Sequence, residues 1–200
     1  MTSRLLFIDT ETGGLDPLIC SVLSVGLVVW EDGTIRSSME VFIAEPQPRI
    51  DRESQSIHRI DPEWLRIHGL SPDAAVAAIE AFLANQFGTV ESVPLAGHNV
   101  NFDIGFLRRL YRLAGKDYER VFSHRSIDTA GILRFLNIAG ILQLEGAGSS
   151  AAFDHFAITF HEHGRHSALG DARATAELFT KLIELVQRRY APAFGAAALT

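Results

Sequence analysis

The chain has 200 residues, of which 47% are hydrophobic, which is enough for one domain with a substantial core. Its 18 basic and 24 acidic residues give a net charge of −6, whereas domains that bind duplex nucleic acid are usually basic. The composition therefore argues against tight binding of a long duplex. A shallow site for a strand end stays open, because metal ions bound among acids would supply positive charge locally.

The cysteine content and the N-terminal segment bear on cellular location. Cys20 is the only cysteine, so no internal disulfide can form, which fits a reducing compartment. The N-terminus lacks the apolar region of a secretory signal, and no apolar stretch is long enough to span a bilayer. We therefore expect a soluble, cytoplasmic protein that does not associate with membranes.

The first third of the chain predicts three consecutive strands. Residues 5–8 form a short apolar run that is typical of a strand buried on both faces. Residues 21–30 are rich in Val and Leu and predict a second strand, and residues 35–43 predict a third. Glu31-Asp32-Gly33 between them is a hairpin signal. Short links between consecutive strands indicate an antiparallel meander.

The rest of the chain alternates predicted helices with short strands. Pro46 and Pro48 open a loop that runs to about residue 60, and helix starts follow at Asp61 and Ser71. Strands are predicted over 93–96 and 126–128, and helices over 61–69, 71–88, 101–114, 129–138, 151–158 and 168–190. This order predicts one α/β domain, in which a mixed sheet (an antiparallel three-strand meander plus parallel strands) is flanked by helices.

The C-terminal third carries three further expectations. Residues 144–150 are the most flexible stretch by composition. Residues 191–200 are small and apolar, and we expect them to form a short, flexible tail. The inward face of the last helix is predicted to carry Leu178, Leu182, Leu185 and Val186.

The first chemical feature is a pair of acids that follows the first apolar run. Asp9 and Glu11 are two residues apart, so in an extended chain both carboxylates face the same side. No Lys or Arg occurs between Arg4 and Arg36 to neutralise them. Such a pair needs an outside partner or a raised pKa, and hard divalent cations are the usual partner. The alternative is a pair of solvated acids at an exposed strand end.

Two further clusters combine an acid with histidine. Asp103 follows His98 and falls in the first turn of a predicted helix, where the helix dipole also stabilises an acid. Asp171 lies about one turn beyond His166, near the start of the last helix. A histidine held close to acids and metal can take a proton from water. The alternative is a surface histidine beside a helix-start acid.

Neighbouring histidines raise a second kind of metal site. His161, His163 and His166 lie close together in the sequence, so a zinc site is conceivable. Their spacing matches no H-E-x-x-H pattern and no cysteines accompany them. The sequence therefore argues against structural zinc.

Taken together and in order, these clusters resemble the three motifs of the DEDDh 3′-to-5′ exonucleases. The matching elements are D-x-E-T at 9–12, H-N-x-x-F-D at 98–103 and H-x-A-x-x-D at 166–171. Ile67-His68-Gly69-Leu70 also looks like the family's I-H-G-I/L element. The family includes the proofreading epsilon subunit of bacterial DNA polymerase III, ribonuclease T and oligoribonuclease. The resemblance covers residues 5–185 and implies a ribonuclease H-like fold.

One position departs from the family pattern. The family commonly has D-x-E-T-T-G, whereas here Gly13 stands at the second threonine. We expect the lost hydroxyl and a looser turn to alter contacts to the terminal nucleotide. The acids and the histidine at the family's five catalytic positions are all present, so the departure does not argue against activity.

The resemblance implies a metal site and a set of catalytic residues. Two divalent ions, Mg²⁺ or Mn²⁺, would be held by four acids, namely Asp9, Glu11, Asp103 and Asp171. His166 would be the general base for the attacking water. A strand would then be shortened from its 3′ end, releasing one nucleoside 5′-monophosphate at a time.

Substrate contacts are expected at five positions. Thr10 and Thr12 would hold the strand end, as in family members, and His68 and Phe102 are candidates to touch the last base or sugar. Phe102 is otherwise an ordinary core residue, and His68 a helix-end histidine satisfied by a carbonyl. Arg173 flanks the last motif and is placed to meet substrate.

Three functions follow from these expectations. The first is an exonuclease on single-stranded DNA 3′ ends, with residues 1–190 as the exonuclease domain. The second is the same chemistry on short or structured RNA ends, which the 2′-hydroxyl would decide. The third is a catalytically idle interaction module of a DNA polymerase or repair complex. Expected partners are single-stranded 3′ ends and, for a proofreading enzyme, a polymerase subunit, whereas monomer and homodimer both stay open.

Overall fold

A mixed five-stranded sheet forms the centre of the computed structural model, which describes residues 4–88, 91–146, 148–160 and 164–195. The strands are β1 (Arg4–Thr12), β2 (Val22–Glu31), β3 (Thr34–Phe42), β4 (Val93–Gly97) and β5 (Phe122–Asp128). The helices within these ranges are α1 (Arg52–His58), α2 (Pro62–His68), α3 (Pro72–Phe87), α4 (Asn101–Leu113), α5 (Tyr118–Val121), α6 (Thr129–Ile138), α7 (Ser149–His155) and α8 (Ala168–Gly195).

The strand order β3-β2-β1-β4-β5 places β1 in the middle of the sheet. β1 pairs antiparallel with β2, and β2 pairs antiparallel with β3. β4 and β5 continue the other half of the sheet in parallel. The predicted meander plus parallel strands, flanked by helices, is therefore confirmed. Because β1 and β4 are parallel neighbours, the chain segments that follow them leave the sheet at the same edge.

The two faces of β1 pack against different helices. Leu6 and Ile8 belong to a core cluster that includes side chains of α3 and α4. Leu5 and Phe7 belong to a second cluster, which includes side chains of α8. Alternation along the strand therefore directs odd-numbered residues of β1, among them Asp9, toward the α8 face.

The start of α8 lies directly on the sheet. Gly26 of β2 is paired with Asp9, and a Cβ atom at Gly26 would collide with the backbone of Ala168. Only a residue without a side chain allows the helix to approach this closely. The first turn of α8, which carries Asp171, is thereby held beside the acids of β1.

Two short helices were not predicted from sequence. α1 occupies part of the segment expected to be a loop up to residue 60. Asp51 caps α1 by accepting a hydrogen bond from the Ser54 N–H at 2.7 Å. Its one large apolar side chain, Ile57, is exposed, so no apolar periodicity marks the helix. The four-residue α5 is likewise too short for a periodic pattern, although Asp117 caps it.

The C-terminal helices differ from prediction mainly at their ends. α7 begins two residues earlier than expected and ends at His155, and α8 continues to Gly195. Leu178 and Leu182 are buried as predicted, but the prediction for Val186 is wrong because this side chain is 38% exposed and belongs to no core cluster of the described chain. No helix within the described ranges has the length and apolarity needed to cross a membrane. The flexible tail over 191–200 and the domain limits stay predictions.

Candidate active site

Three carboxylates from two elements converge at the edge of the sheet. Asp9 and Glu11 project from β1, and Asp171 projects from the first turn of α8. Carboxylate oxygens of the three residues all lie within 4.8 Å of one another. The structure therefore brings together acids of the first and the last motif.

Asp103 is the fourth acid and comes from the first turn of α4. Its side chain is buried, and its Oδ1 accepts a hydrogen bond from the Thr10 hydroxyl at 2.8 Å. Thr10 lies between Asp9 and Glu11 on β1, so this bond ties the second motif to the first. We refer to Asp9, Glu11, Asp103 and Asp171 as the acid cluster.

Burial raises the pKa of each member of the acid cluster, and repulsion from other members adds to it at Asp9 and Glu11. Burial is the main cause of the strongly raised pKa of Asp9, followed by the charges of Asp103, Asp171, Glu11 and Glu40. Burial also raises the pKa of Glu11 to about 8 and that of Asp103 to about 7. The pKa of Asp171 is raised for the same first reason. In the absence of a cation, the site therefore disfavours its fully ionised form.

The acid cluster has the properties of a site for hard divalent cations. Its donors are carboxylate oxygens, which Mg²⁺ and Mn²⁺ prefer. No ion pair within the described ranges involves any of the four acids. The Oδ1 atom of Asp171 is buried and accepts no hydrogen bond from the part of the chain that the structure describes. The residues therefore fit bound cations, which would satisfy this oxygen and offset the repulsion.

A fifth acid near the cluster was missed by the sequence predictions. Glu40 of β3 is paired with Gly26, which is paired in turn with Asp9, so the three residues share one face of the sheet. The charge of Glu40 contributes to the raised pKa of both Asp9 and Glu11. Only the register of the meander brings Glu40 to this position, and no motif in the sequence marks it.

His166 lies close to Asp171 in the structure and precedes it by five residues in the sequence. Its backbone N–H donates a hydrogen bond to Asp171 Oδ2 at 3.2 Å, and its φ of +64° is the left-handed conformation. The side chain is exposed. The two other histidines of the zinc alternative, His161 and His163, lie outside the described residues.

A cleft of about 230 Å³ opens over the acid cluster. Asp9, Asp103 and Asp171 line it, together with residues from the second motif and from α7 and α8. Phe102 also lines the cleft and is 36% exposed, so it is not an ordinary core residue. The other lining residues are Thr10, His98, Asn99, Ser149, Phe153 and Thr175.

The second motif is anchored to the strand beside it. The Asn99 N–H donates to Asp128 Oδ1 at 3.0 Å, and the Thr129 hydroxyl donates to the Gly97 carbonyl at 3.1 Å. His98 Nδ1 lies 3.0 Å from the same Thr129 hydroxyl. These bonds fix the turn between β4 and α4, and with it the position of Asp103.

Comparison with known proteins identifies the family. A family model for exonucleases, RNase_T, matches residues 6–179. The chain belongs to the RNase_T exonuclease family. The resemblance to DEDDh exonucleases drawn from the motifs is confirmed.

Individual relatives of this RNase_T exonuclease chain are much longer proteins. A PolC-type DNA polymerase III of Thermotoga petrophila is 30% identical over 182 residues, which are 90% of this chain and 12% of that protein. A DNA polymerase III subunit epsilon-like protein of Rhodobacter capsulatus is 32% identical over 195 residues, which cover 94% of this chain and 25% of that protein. The chain therefore spans a quarter or less of these two curated relatives.

The fold is shared with a solved exonuclease. Exonuclease I of E. coli in complex with a dT13 oligonucleotide matches with a TM-score of 0.73 and 20% identity, over 97% of this chain and 43% of that chain. At this identity, the match establishes the common architecture.

Two of the residues predicted to contact substrate, Thr10 and Phe102, line the cleft of the RNase_T site. The Thr10 hydroxyl donates a hydrogen bond to Asp103 Oδ1, and the Thr12 hydroxyl donates to the Gly14 carbonyl, both at 2.8 Å. Arg173 Nη1 donates to the Ser38 hydroxyl at 2.7 Å on the edge strand β3. The predictions of contacts through Thr10, Thr12, Phe102, Arg173 and His68 stay predictions.

The departure at Gly13 has a steric explanation in this RNase_T chain. The Gly13 N–H donates to the Ser21 carbonyl at 2.7 Å, and the Gly13 carbonyl accepts from the Asp51 N–H at 2.8 Å. A Cβ atom at Gly13 would collide with the Arg49 carbonyl oxygen. The turn is therefore held by backbone bonds to Ser21 and Asp51, and the Arg49 carbonyl occupies the space that a threonine side chain would need.

Restoring the common threonine should consequently destabilise the protein. Overpacking against backbone typically costs about 1–3 kcal/mol, so we expect Gly13→Thr to lower the melting temperature by roughly 3–10 °C. Thermal unfolding followed by circular dichroism measures this. Gly131→Ala is the matched control, because nothing lies within 4 Å of a Cβ atom there and alanine favours helix. An unchanged melting temperature for Gly13→Thr would contradict the steric explanation.

Proposed function

We propose that the chain is a metal-dependent 3′-to-5′ exonuclease that acts on the 3′ ends of single-stranded DNA and releases nucleoside 5′-monophosphates. The observation that carries the proposal is the acid cluster, in which three separate motifs supply four carboxylates with raised pKa values, three of which line one cleft. Membership of an exonuclease family supports the reaction class.

The acid cluster divides naturally between two cation positions. Asp9, Glu11 and Asp171 form one compact group, and Asp103 approaches it from α4. We assign the compact group to one divalent ion, with Asp103 and Asp9 serving a second. Bound Mg²⁺ or Mn²⁺ ions supply the electrostatic stabilisation of the attacking and leaving oxygens in an in-line displacement. The Thr10 hydroxyl keeps Asp103 oriented for this task.

His166 is proposed as the general base that takes a proton from the attacking water. The hydrogen bond from its backbone to Asp171 fixes the chain next to the acid cluster, and its exposed side chain is accessible to water. A positioned general base typically contributes about 10²- to 10⁴-fold to the rate. Removal of the imidazole should therefore leave a weak residual activity.

Two observations support single-stranded DNA as the substrate. The net charge of −6 disfavours a long duplex. The exonuclease I structure that shares the fold was solved with a dT13 oligonucleotide. The match to PolC-type and epsilon-like proteins also supports a polymerase as a partner. A cytoplasmic location and the choice between monomer and homodimer stay predictions.

The direct test is degradation of matched 5′-labelled DNA and RNA oligonucleotides in Mn²⁺, with a chelator as control. We expect a ladder that shortens from the 3′ end on DNA, and no ladder with the chelator. A higher rate on RNA would replace the substrate assignment by the ribonuclease alternative. No ladder on either strand would favour the idle interaction module.

His166→Gly tests the general base without backbone strain, because glycine readily adopts the φ of +64° found at this position. We expect the rate to fall by about 10²- to 10⁴-fold and to recover partly when imidazole is added. Asp32→Gly is the matched control, since Asp32 has a φ of +47° and lies in the hairpin between β2 and β3. Full activity of His166→Gly, or a loss that imidazole does not restore, would remove the assigned role.

A further inference from the structure

An aromatic row extends from the edge strand onto α2. The Phe42 and Trp64 rings lie 5.0 Å apart, edge to face, with an interplanar angle of 81°. The Trp64 and His68 rings are also 5.0 Å apart and are tilted by 39°. Trp64 is 42% exposed, although an indole is among the most costly side chains to leave in water.

Phe42, the residue of the row that belongs to the sheet, lies on the same face of the sheet as Asp9 and Glu11. Glu11 is paired with Ser24, and Ser24 is paired in turn with Phe42. Directly paired residues of antiparallel strands project to the same side, so Phe42 shares the face of Glu11. Two strand spacings separate them by about 10 Å. That distance is about three nucleotides at the 3.4 Å rise of a stacked strand.

The packing of α2 does not require a large aromatic residue at position 64. Leu65 is the buried residue of this helix, and it supplies the contact with the core. Trp64 contacts the rings of Phe42 and His68, and 42% of its surface stays exposed. A flat, open aromatic surface close to a nuclease site is suited to an unpaired nucleobase, because every base has a face that stacks on aromatic side chains.

We infer that Trp64 is a stacking platform for a nucleobase of the substrate strand upstream of the terminal nucleotide. The inference rests on the proposed exonuclease function and adds a specific residue to it. Stacking requires a base that is not paired, so the platform favours single strands over duplex. It also gives the strand a direction, from the acid cluster across the end of β3 toward α2.

A comparison of two substrates separates this role from the chemistry. An oligothymidylate has upstream bases, whereas the p-nitrophenyl ester of thymidine 5′-monophosphate has none. Base stacking on an aromatic residue is worth enough to change affinity by about tenfold to a hundredfold. We therefore expect Trp64→Ala to raise the KM for the oligonucleotide by about this factor relative to the KM for the ester, and Trp64→Phe to restore much of the loss.

Each outcome decides a different question. Equal effects of Trp64→Ala on both substrates would indicate a structural role and overturn the inference, as would no effect on either. Absence of hydrolysis of both substrates by the unaltered protein would instead overturn the proposed function. Phe135→Ala on α6 is the control, because this side chain is 66% exposed and lies outside the cleft.

Fluorescence tests the contact without relying on turnover. The chain has two tryptophans, and Trp30 is buried and donates from Nε1 to the Thr180 hydroxyl at 2.8 Å. We expect an oligothymidylate with phosphorothioate 3′-terminal linkages, which slow hydrolysis, to quench the emission of the protein. Trp64→Phe should remove that quenching while Trp30 still emits. Binding shown by fluorescence anisotropy of a labelled oligonucleotide, without any quenching of Trp64, would place the strand elsewhere and overturn the inference, leaving the exposed indole as a surface for a protein partner.

Discussion

Asp9→Asn is expected to abolish hydrolysis and, at the same time, to raise the melting temperature of the metal-free protein. Asp9 is the centre of the repulsion, because its pKa is raised by burial and then by four neighbouring carboxylates. Asparagine keeps the shape of the side chain and removes the charge. Loss of several kcal/mol of charge stabilisation by bound cations corresponds to a rate decrease of about a thousandfold or more.

The gain in stability follows from the same repulsion. One pKa unit is worth about 1.4 kcal/mol, and about 1 kcal/mol shifts the melting temperature of a domain of this size by about 2–4 °C. Relief of even part of the repulsion at pH 8 should therefore raise the melting temperature of the metal-free variant by several degrees. An inactivating mutation that stabilises the fold is the signature of a functional site under strain.

The measurement combines nuclease assays in Mn²⁺ with thermal unfolding in a chelator at pH 8. Asp154→Asn is the matched control, since Asp154 is exposed on α7. It should change neither property by much. An Asp9→Asn variant that is inactive but no more stable than the parent would argue that the acids do not repel one another in the folded protein. A fully active variant would remove Asp9 from the site.

Much of the fold could be predicted because its signals are local. The apolar runs, the Glu31-Asp32-Gly33 turn and the capping residues at Asp61 and Ser71 each depend on a few neighbouring residues. They were sufficient for the meander and for most of the helices. The four-residue α5 and the exposed α1 escaped prediction because neither buries a periodic apolar stripe. Their caps alone did not distinguish them from loop turns.

The acid cluster could be predicted for a related reason. Each motif is a short local pattern, and together the three patterns resembled those of an exonuclease family, which implied that their acids share one metal site. The supporting residues could not be predicted. Glu40 reaches the cluster only through the register of three strands, and the bond from Thr10 to Asp103 joins residues 93 positions apart. Such contacts depend on tertiary geometry that no short pattern encodes.

The stability of the metal-free protein should fall as pH rises from about 5 to about 8. The folded-state pKa values of Glu11 and Asp103 are about 8 and about 7, well above the ordinary values of 4.5 and 3.8. A carboxyl group with a raised pKa binds its proton more tightly in the folded state than in the unfolded state. The free energy of unfolding therefore decreases progressively as pH rises from the ordinary pKa to the folded-state pKa. Above the folded-state pKa it no longer changes with pH.

Between pH 5 and pH 8, His58 contributes to the free energy of unfolding with the opposite sign. Burial lowers the pKa of His58 below 6.5, so its contribution to stability increases as pH rises toward that value. Above about pH 6.5, His58 no longer changes its charge in either state. The net decrease in stability should then be steepest just above pH 6.5, and it should level off as Asp103 and then Glu11 complete their titration near pH 7 and pH 8.

Manganese should reverse this trend, because the cation binds the ionised acids and does so more tightly as pH rises. A ligand at 100 times its dissociation constant stabilises the folded state by about 2.7 kcal/mol, which corresponds to roughly 5–10 °C in this domain. Differential scanning fluorimetry from pH 5 to pH 8.5, with chelator or with Mn²⁺, measures both effects. Asp9→Asn should flatten the metal-free profile and reduce the gain from Mn²⁺. If the melting temperatures with saturating Mn²⁺ and with chelator were equal at pH 8, the acid cluster would not be a cation site, since a ligand that prefers the folded state must stabilise it.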